Sequence, residues 1–250
     1  MHLIWSSATA PDGGSRLDEA GLCDLYAPPR TRPWLRVNFV TSLDGAVEVD
    51  GYSRGLSGQP DQKVLGLLRQ HCDALMVGAG TLRHEGYGPI RLDAQRRAWR
   101  REQGLAEIPP LVIVSAALDL DPTARVFTDA PVRPIVLTRA ASASARQESL
   151  ASVADVLVCG ETVVDLAVGV AQLHERGLRQ ILCEGGPHLF GALLAAGLVD
   201  ELCLTISPLL TGAGAGRIVA GVTRDVPLEL ELRHVVEADG LLLTRYARET

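Results

Sequence analysis

Glu184 closes an apolar run, QILC at 180–183, and is followed by Gly185, Gly186 and Pro187. These open a stretch with apolar residues at Leu189, Phe190, Leu193 and Leu194. The pattern predicts a buried strand passing through two glycines into a helix, with Gly186 as its N-cap and Pro187 at its first position. The backbone N–H groups of His188, Leu189 and Phe190 would then lack partners inside the helix, and a helix N-terminus with free donors suits an anion. With no Cβ at Gly185 or Gly186, a pyrophosphate can approach closely. The same two glycines also serve a plain tight turn, and the pattern alone supports both readings. A carboxylate placed beside the cradle favours binding. On that reading Gly186→Val weakens cofactor binding more than it weakens the fold. The segment is not the GxGxxG dinucleotide fingerprint. GGPHLFG does not match it, and the next acidic pair, Asp200-Glu201, opens the following strand instead of closing it.

Other residues of chemical interest also fall at the ends of apolar runs. TSLDG at 41–45 turns at Asp44-Gly45, which on its own is an ordinary Asx turn. GAGTLRHEG at 78–86 places Gly78, Gly80, Thr81 and Glu85 after a buried run. Arg69 and Arg91 are permanent forked cations of the kind that suits a phosphate, although an isolated arginine on a helix is more often a surface residue. Ser115 ends PLVIVS (110–115). TGAGAGR (211–217) looks phosphate-like and is read as a connection whose glycines serve backbone geometry. The arginines at 96, 97, 100 and 101 are read as a solvated helix face. The six histidines form no HExxH or HxxxH pattern, and the five cysteines form no CxxC, so no protein-built metal site is expected.

The elements that must position these residues alternate. Strands are predicted at 34–40, 74–80, 110–115, 134–138, 155–160, 180–184 and 201–207, and helices at 61–72, 93–103, 163–176 and 187–196. The run 228–236, Asp239-Gly240 and 241–247 is a hairpin signal. Parallel β/α units that finish in an antiparallel edge predict an α/β fold, a mostly parallel mixed sheet with helices on both faces. Residues 1–33, with PDGG and APPRTRP, read as an irregular leader wrapping a single domain at 34–250.

TSLDG, LRQHCDALMVGAGTLRHEGYGPIR (68–91) and LCEGGPHLFGALLAAGLVDELCLTISPLLTG (182–212) together resemble the pyrimidine reductase of riboflavin biosynthesis, 5-amino-6-(5-phosphoribosylamino)uracil reductase. The resemblance covers about residues 34–248. It implies a three-layer α/β/α fold like that of dihydrofolate reductase. It also implies hydride transfer from NADPH, preferred over NADH, to a ribose-derived imine carbon. The HxE and PCxxC motifs of the deaminase fused to many relatives do not occur, which implies a stand-alone reductase. Carried over by position, Asp44 and Glu184 become the carboxylates of the reacting site. Asn38, Ser53, Arg69, Arg91 and Glu184 become substrate contacts. Thr41, Ser42, Gly78, Thr81, Glu85 and the segment Gly185, Gly186, Pro187, His188, Leu189, Phe190 and Gly191 become cofactor contacts, with Ser115 a further candidate. Relatives often carry Asp where this chain has Glu85. Arg139, after PIVLT, is the candidate contact for the 2′-phosphate. Asn38 stands where relatives carry a lysine, and alternation along WLRVNFV puts it with Arg36 towards the site, so it is a candidate for shifted substrate choice. Two alternatives stay open: a pteridine reductase of the same fold, and a nucleotide-binding protein without turnover.

The totals fit a small-molecule enzyme. With 250 residues the chain can bury a large core. A net charge of −6 without a basic stripe argues against nucleic acid as a partner. The apolar runs are too short to span a bilayer, and MHLIWSS, without a basic leader or a long apolar core, is not expected to act as a signal peptide. Unpaired cysteines suggest a reducing cytoplasm. A homodimer formed through the sheet and the C-terminal strands is expected from the resemblance.

Overall fold

The computed structural model describes residues 1–8, 15–221 and 226–249, so PDGG (11–14) lies outside the described residues. The β-branched and leucine-rich runs form β3 (Trp34–Thr41), β4 (Ala74–Gly78), β5 (Leu111–Val114), β6 (Ile135–Thr138), β7 (Asp155–Val158), β8 (Gln180–Cys183) and β9 (Glu201–Ile206). These seven pair in parallel, in the order β9-β3-β8-β4-β5-β6-β7. Asp239 and Gly240, both at positive φ, make the tight turn between β10 (Glu231–Ala238) and β11 (Leu241–Ala247). β11 adds antiparallel to β9. The sheet therefore has a parallel half and an antiparallel edge, as the pattern predicts.

The N-terminal segment departs from the irregular reading. β1 (His2–Ser6) pairs antiparallel with β10, and β2 (Ser15–Arg16) pairs with β1. α1 (Glu19–Leu25) is capped by Asp18, whose side chain accepts from the Gly21 N–H, and buries Leu22 and Cys23. Because β1 occupies the outer side of β10, the C-terminal strands are not a free edge for backbone pairing with a second copy.

Helices cover both faces. α2 (Gln59–His71), α3 (Ala79–His84), α5 (Arg125–Thr128) and α6 (Ser144–Ala151) pack with α1 on one side of the sheet, where Val64, Leu67, Leu68, Leu82 and Leu150 are buried. α7 (Leu166–Glu175) and α8 (Pro187–Ala195) pack on the other through Leu166, Val170, Leu173, Leu189, Phe190 and Leu193. α4 (Ala94–Glu102) carries the arginine cluster, and here the solvated-face reading fails for one member. Arg100 is fully buried. Its guanidinium donates to the carbonyls of Gln70 and Cys72 at 2.8 and 2.6 Å, and its Nε to that of Ala106 at 2.6 Å. The α2 carbonyls left without intrahelical partners have recruited it.

Candidate functional site

In a parallel half-sheet the loops after the strands form the ligand-facing edge, and a cavity of about 760 Å³ opens there. β8 is its axis. The Cys183 side chain lies on the α8 face with Leu35 and Val37 of the neighbouring strand, while Leu182 lies on the α2 face. By strand alternation, Glu184 and Asn38 both project to the α2 face, from adjacent strands. The backbone then turns. The Glu184 N–H donates to Met76 O at 2.9 Å, the Gly78 N–H donates to Gly185 O at 2.8 Å, and the Gly185–Gly186 peptide is cis. This brings α8 in from the opposite face. One cavity is thus divided into an α8 wall and an α2 wall.

The α8 wall is glycine-lined. Gly186 is the N-cap, no side chain caps the helix, and Pro187 fills the first turn. The Phe190 N–H is bonded to Gly186 O at 3.0 Å, so Phe190 is not among the free donors expected there; those of His188 and Leu189 have no partner among the described residues. Gly186 has ordinary backbone torsions, and its requirement is steric: a Cβ would lie 2.2 Å from Thr81 Oγ1. A side chain at 186 therefore meets the protein before it meets a ligand, which corrects the expectation for Gly186→Val. Gly185, at φ +87°, lies under the Phe39 ring, and that ring stacks on Phe190 at 5.4 Å. An uncapped helix start with a bare-backbone cradle fits the pyrophosphate of a dinucleotide.

The α2 wall is polar. Arg69, in the last turn of α2, grips Glu184 with two parallel bonds, Nε to Oε1 at 2.6 Å and Nη2 to Oε2 at 2.7 Å. The Tyr87 hydroxyl donates to Oε2 at 2.7 Å. The Glu184 side chain is 4% exposed and that of Arg69 30%. Burial disfavours charge on Arg69, but Glu184 outweighs it and pushes the guanidinium pKa up. Burial, then the Glu184 charge, pushes the Tyr87 phenol up, so it stays protonated as the donor. Asn38 lines the same wall, and no hydrogen bond of its side chain is found among the described residues. Asp61, buried and bonded by the Ser57 hydroxyl at 2.5 Å, adds a second carboxylate.

Of the residues singled out from sequence, the cavity brings together Asn38, Ser53, Arg69, Gly78, Thr81, Glu85, Arg91, Glu184, Gly186, Pro187, His188 and Leu189. Some already have partners. Glu85 accepts from the Ser53 N–H at 3.1 Å, fixing a 3₁₀ turn (Ser53–Gly55), and Arg91 at the rim donates to Asp129 O at 3.2 Å. Seven do not line the cavity: Thr41, Ser42, Asp44, Ser115, Gly185, Phe190 and Gly191. Asp44 is exposed and organises a loop crossing. It accepts from the Thr211 and Gly212 N–H groups at 3.1 and 2.8 Å and from the Ser42 hydroxyl, and these bonds, the Ser42 one foremost, hold its carboxyl at about 2. Gly191 instead lets Ala220 O approach α8. Ser115 is buried, with its N–H on Leu137 O and its carbonyl accepting from Thr138 Oγ1. Arg139 donates to Ala116 O and Thr162 O, at the end of β6. Tyr87, Asp61 and His84, the last stacked on Tyr52 at 5.0 Å, line the cavity and carry no signal in the sequence that would have placed them here. Among the described residues no three metal-ligating side chains converge, and no helix is long and apolar enough to cross a membrane.

A three-layer α/β fold with an uncapped helix start facing a polar wall at one strand end defines the class: an α/β fold with a small-molecule site at its strand ends. Residues 33–242 match the RibD C-terminal domain, and the chain belongs to that family. It is 31% identical to the 2,5-diamino-6-ribosylamino-4(3H)-pyrimidinone 5′-phosphate reductase of Archaeoglobus fulgidus over 182 residues, 72% of this chain and 83% of that one. It is 26% identical to the riboflavin biosynthesis protein RibD of Mycobacterium tuberculosis over 261 residues, 96% of this chain and 67% of that one. A pyrimidine reductase-like protein from Corynebacterium diphtheriae has the same architecture, with a TM-score of 0.82 at 30% identity, covering 90% of this chain and 97% of that one. The family is one of riboflavin-biosynthesis reductases, and the resemblance read from the three motifs holds.

Proposed function

We propose that this chain reduces an aminopyrimidine ribosyl 5′-phosphate with NADPH, either the aminouracil form or the diaminopyrimidinone form acted on by the Archaeoglobus relative. The observation that carries this is the division of one cavity at the end of β8, an anion cradle on the α8 side and a polar wall on the α2 side. The two walls meet at Glu184-Gly185-Gly186, so a dinucleotide on one and a heterocycle on the other share an edge.

Reduced nicotinamide, when bound, supplies the hydride that converts the ring-opened ribose imine to a ribitylamine. The chain's own part is positioning. The His188 and Leu189 N–H groups would hold the pyrophosphate, and Gly186 lets Thr81 close in beside them. On the other wall Arg69, Tyr87 and Asn38 face the heterocycle, and Arg54 and Arg91 at the rim supply cations for the ribosyl phosphate. Asn38 offers a donor and an acceptor where relatives present a cation, which adapts this wall to a ring of altered polarity.

The test is NADPH oxidation by the purified protein against four compounds: both aminopyrimidine ribosyl phosphates, dihydrofolate and an unphosphorylated ribosyl analogue. Turnover of an aminopyrimidine with loss of about 100-fold or more in kcat/KM on removing the phosphate is expected. Turnover of dihydrofolate alone would move the assignment to pteridines. NADPH binding without oxidation of any compound would leave a nucleotide-binding protein.

A further inference from the structure

Tyr87 lies within the 68–91 motif but is not among the site residues that the resemblance supplies, and its hydroxyl ends on the same Glu184 oxygen as Arg69 Nη2. The acceptor capacity of Glu184 is nearly spent: a carboxylate offers about four acceptor positions, and three are filled by Arg69 Nε, Arg69 Nη2 and Tyr87. With a side chain only 4% exposed, Glu184 presents little of itself to the cavity. Its partners do present themselves. Arg69 Nη1 makes no hydrogen bond among the described residues, and the Arg69 side chain is 30% exposed and lines the cavity. The Tyr87 oxygen has given its proton to Glu184 and keeps its lone pairs, and Tyr87 also lines the cavity.

We propose that Arg69 and Tyr87 form a donor–acceptor pair that reads the lactam edge of the substrate ring, the carbonyl taken by the guanidinium and the adjacent N–H by the phenol oxygen. Glu184 is then a positioning residue, acting through both partners. Both bonds to Oε2 measure 2.7 Å, so Nη2 and the phenol oxygen stand no farther apart than the sum of the two. Nη1, on the same guanidinium, carries the N–H groups left for a carbonyl, and the phenol oxygen is the acceptor for the neighbouring N–H. The direction is fixed by the carboxylate. Because Glu184 only accepts, the phenol must donate to it and therefore can only accept from the ring. The edge recognised, C(=O)–N–H, occurs in pyrimidinones and equally in pteridinones. The pair thus selects the ring class, while the rim cations select the phosphate. This inference rests on the reductase reading for its substrate.

The experiment uses the full chain, Tyr87→Phe, and two probes: the aminopyrimidine ribosyl 5′-phosphate and its counterpart methylated at the lactam nitrogen. Binding is measured calorimetrically without NADPH, and kcat and KM with it. Methylation should weaken binding to the unaltered protein by about 10-fold or more, because the phenol oxygen loses its donor. In Tyr87→Phe that discrimination should fall to within about 3-fold, with KM for the unmethylated probe raised about 10-fold and kcat nearly unchanged. A residue that merely packs would lower both parameters and leave the discrimination intact. Turnover with discrimination retained in Tyr87→Phe overturns the pair and spares the reductase reading. Tyr87-dependent binding without turnover keeps the pair and sinks that reading. Failure of the unaltered protein to bind either probe overturns both.

Discussion

Gly186 is required by its neighbour before it is required by a ligand. A Cβ there would sit 2.2 Å from Thr81 Oγ1, a contact that no side chain tolerates without displacement. Thr81 stands on a short helix that itself lines the cavity. Gly186→Ala should therefore cost about 1–3 kcal/mol through overpacking and weaken binding of the proposed cofactor, NADPH, by displacing the start of α8. Thr81→Ala removes the offending oxygen, and the remaining Cβ contact is an ordinary 3.6 Å. In the double variant the two losses should not add, and the coupling should favour the pair by about 1 kcal/mol or more. Urea unfolding of the four proteins gives the answer, and simple additivity would show that Thr81 is not what excludes a side chain at 186. This residue was legible in the sequence as a glycine at a strand-to-helix turn. Its reason was not, because Thr81 is distant in the chain and its meeting with Gly186 is tertiary. Tyr87 was illegible for the same cause: between two glycines in GYG it reads as a loop residue, and only the fold carries its hydroxyl to Glu184.

Long amphipathic helices and apolar strands, even the four-residue β5, β6, β7 and β8, came through the sequence, and short helices and the N-terminal strands did not. α2, α8, β3 and the final hairpin follow their predicted spans closely, because each has an apolar face of sufficient length and a glycine or proline at an end. α3 was read as the tail of a strand, since Gly78 and Gly80 hide a six-residue helix. β1 has no inward alternation of its own, and it exists because β10 offers a partner. Arg100 shows the limit of periodicity most plainly. Charge in a polar helix predicts solvent, but this guanidinium is 0% exposed and serves the C-terminal carbonyls of α2. Arg100→Met keeps most of the volume and leaves those carbonyls buried without donors. It should destabilise the protein by about 3 kcal/mol, since charged hydrogen bonds contribute about 1.5–3 kcal/mol each. Arg101→Ala, on the exposed side of the same helix, should stay within about 0.5 kcal/mol. Denaturant midpoints with unchanged slopes would establish the contrast, and equal effects would return Arg100 to the surface. Because Arg69 lies in the last turn of α2, this buried cap also holds one wall of the site in place.

At the scale of the whole molecule, one side of the sheet has a charged interior that ties stability to pH. Glu201 is fully buried between Arg36 and Arg245 and also accepts from Trp34 Nε1 at 2.9 Å. Burial alone would push its carboxyl up, but the two cations overcome that and hold it at about 2. The same cations, after burial itself, depress nearby histidines: His71 to about 4, helped by Arg36, and His234 to about 3, helped by Arg245. Both imidazoles are neutral in the folded protein and take up a proton near 6.5 once unfolded. The unfolded chain therefore binds more protons below pH 6.5, and the stability these histidines contribute is present above that value and lost as pH falls towards 4 and 3. Glu201 acts in the same direction lower down, its contribution present above about 4.5 and lost as pH approaches 2. On the alkaline side the buried thiols of Cys72 and Cys183 are pushed up to about 12 by burial. Their contribution is present below 9 and lost as pH rises through 12. Unfolding free energy should thus plateau near neutrality and begin to fall on the acid side near pH 6.5, before the carboxylates titrate. Each histidine adds about 1.4 kcal/mol per pH unit to the slope between its two pKa values. His71→Gln can still donate to the Cys23 carbonyl that His71 Nε2 reaches at 3.0 Å, but it cannot titrate. Between pH 6 and 4.5 its stability should fall less steeply than that of the unaltered protein by about that amount. An unchanged slope would mean that His71 is not what couples folding to protons in this range.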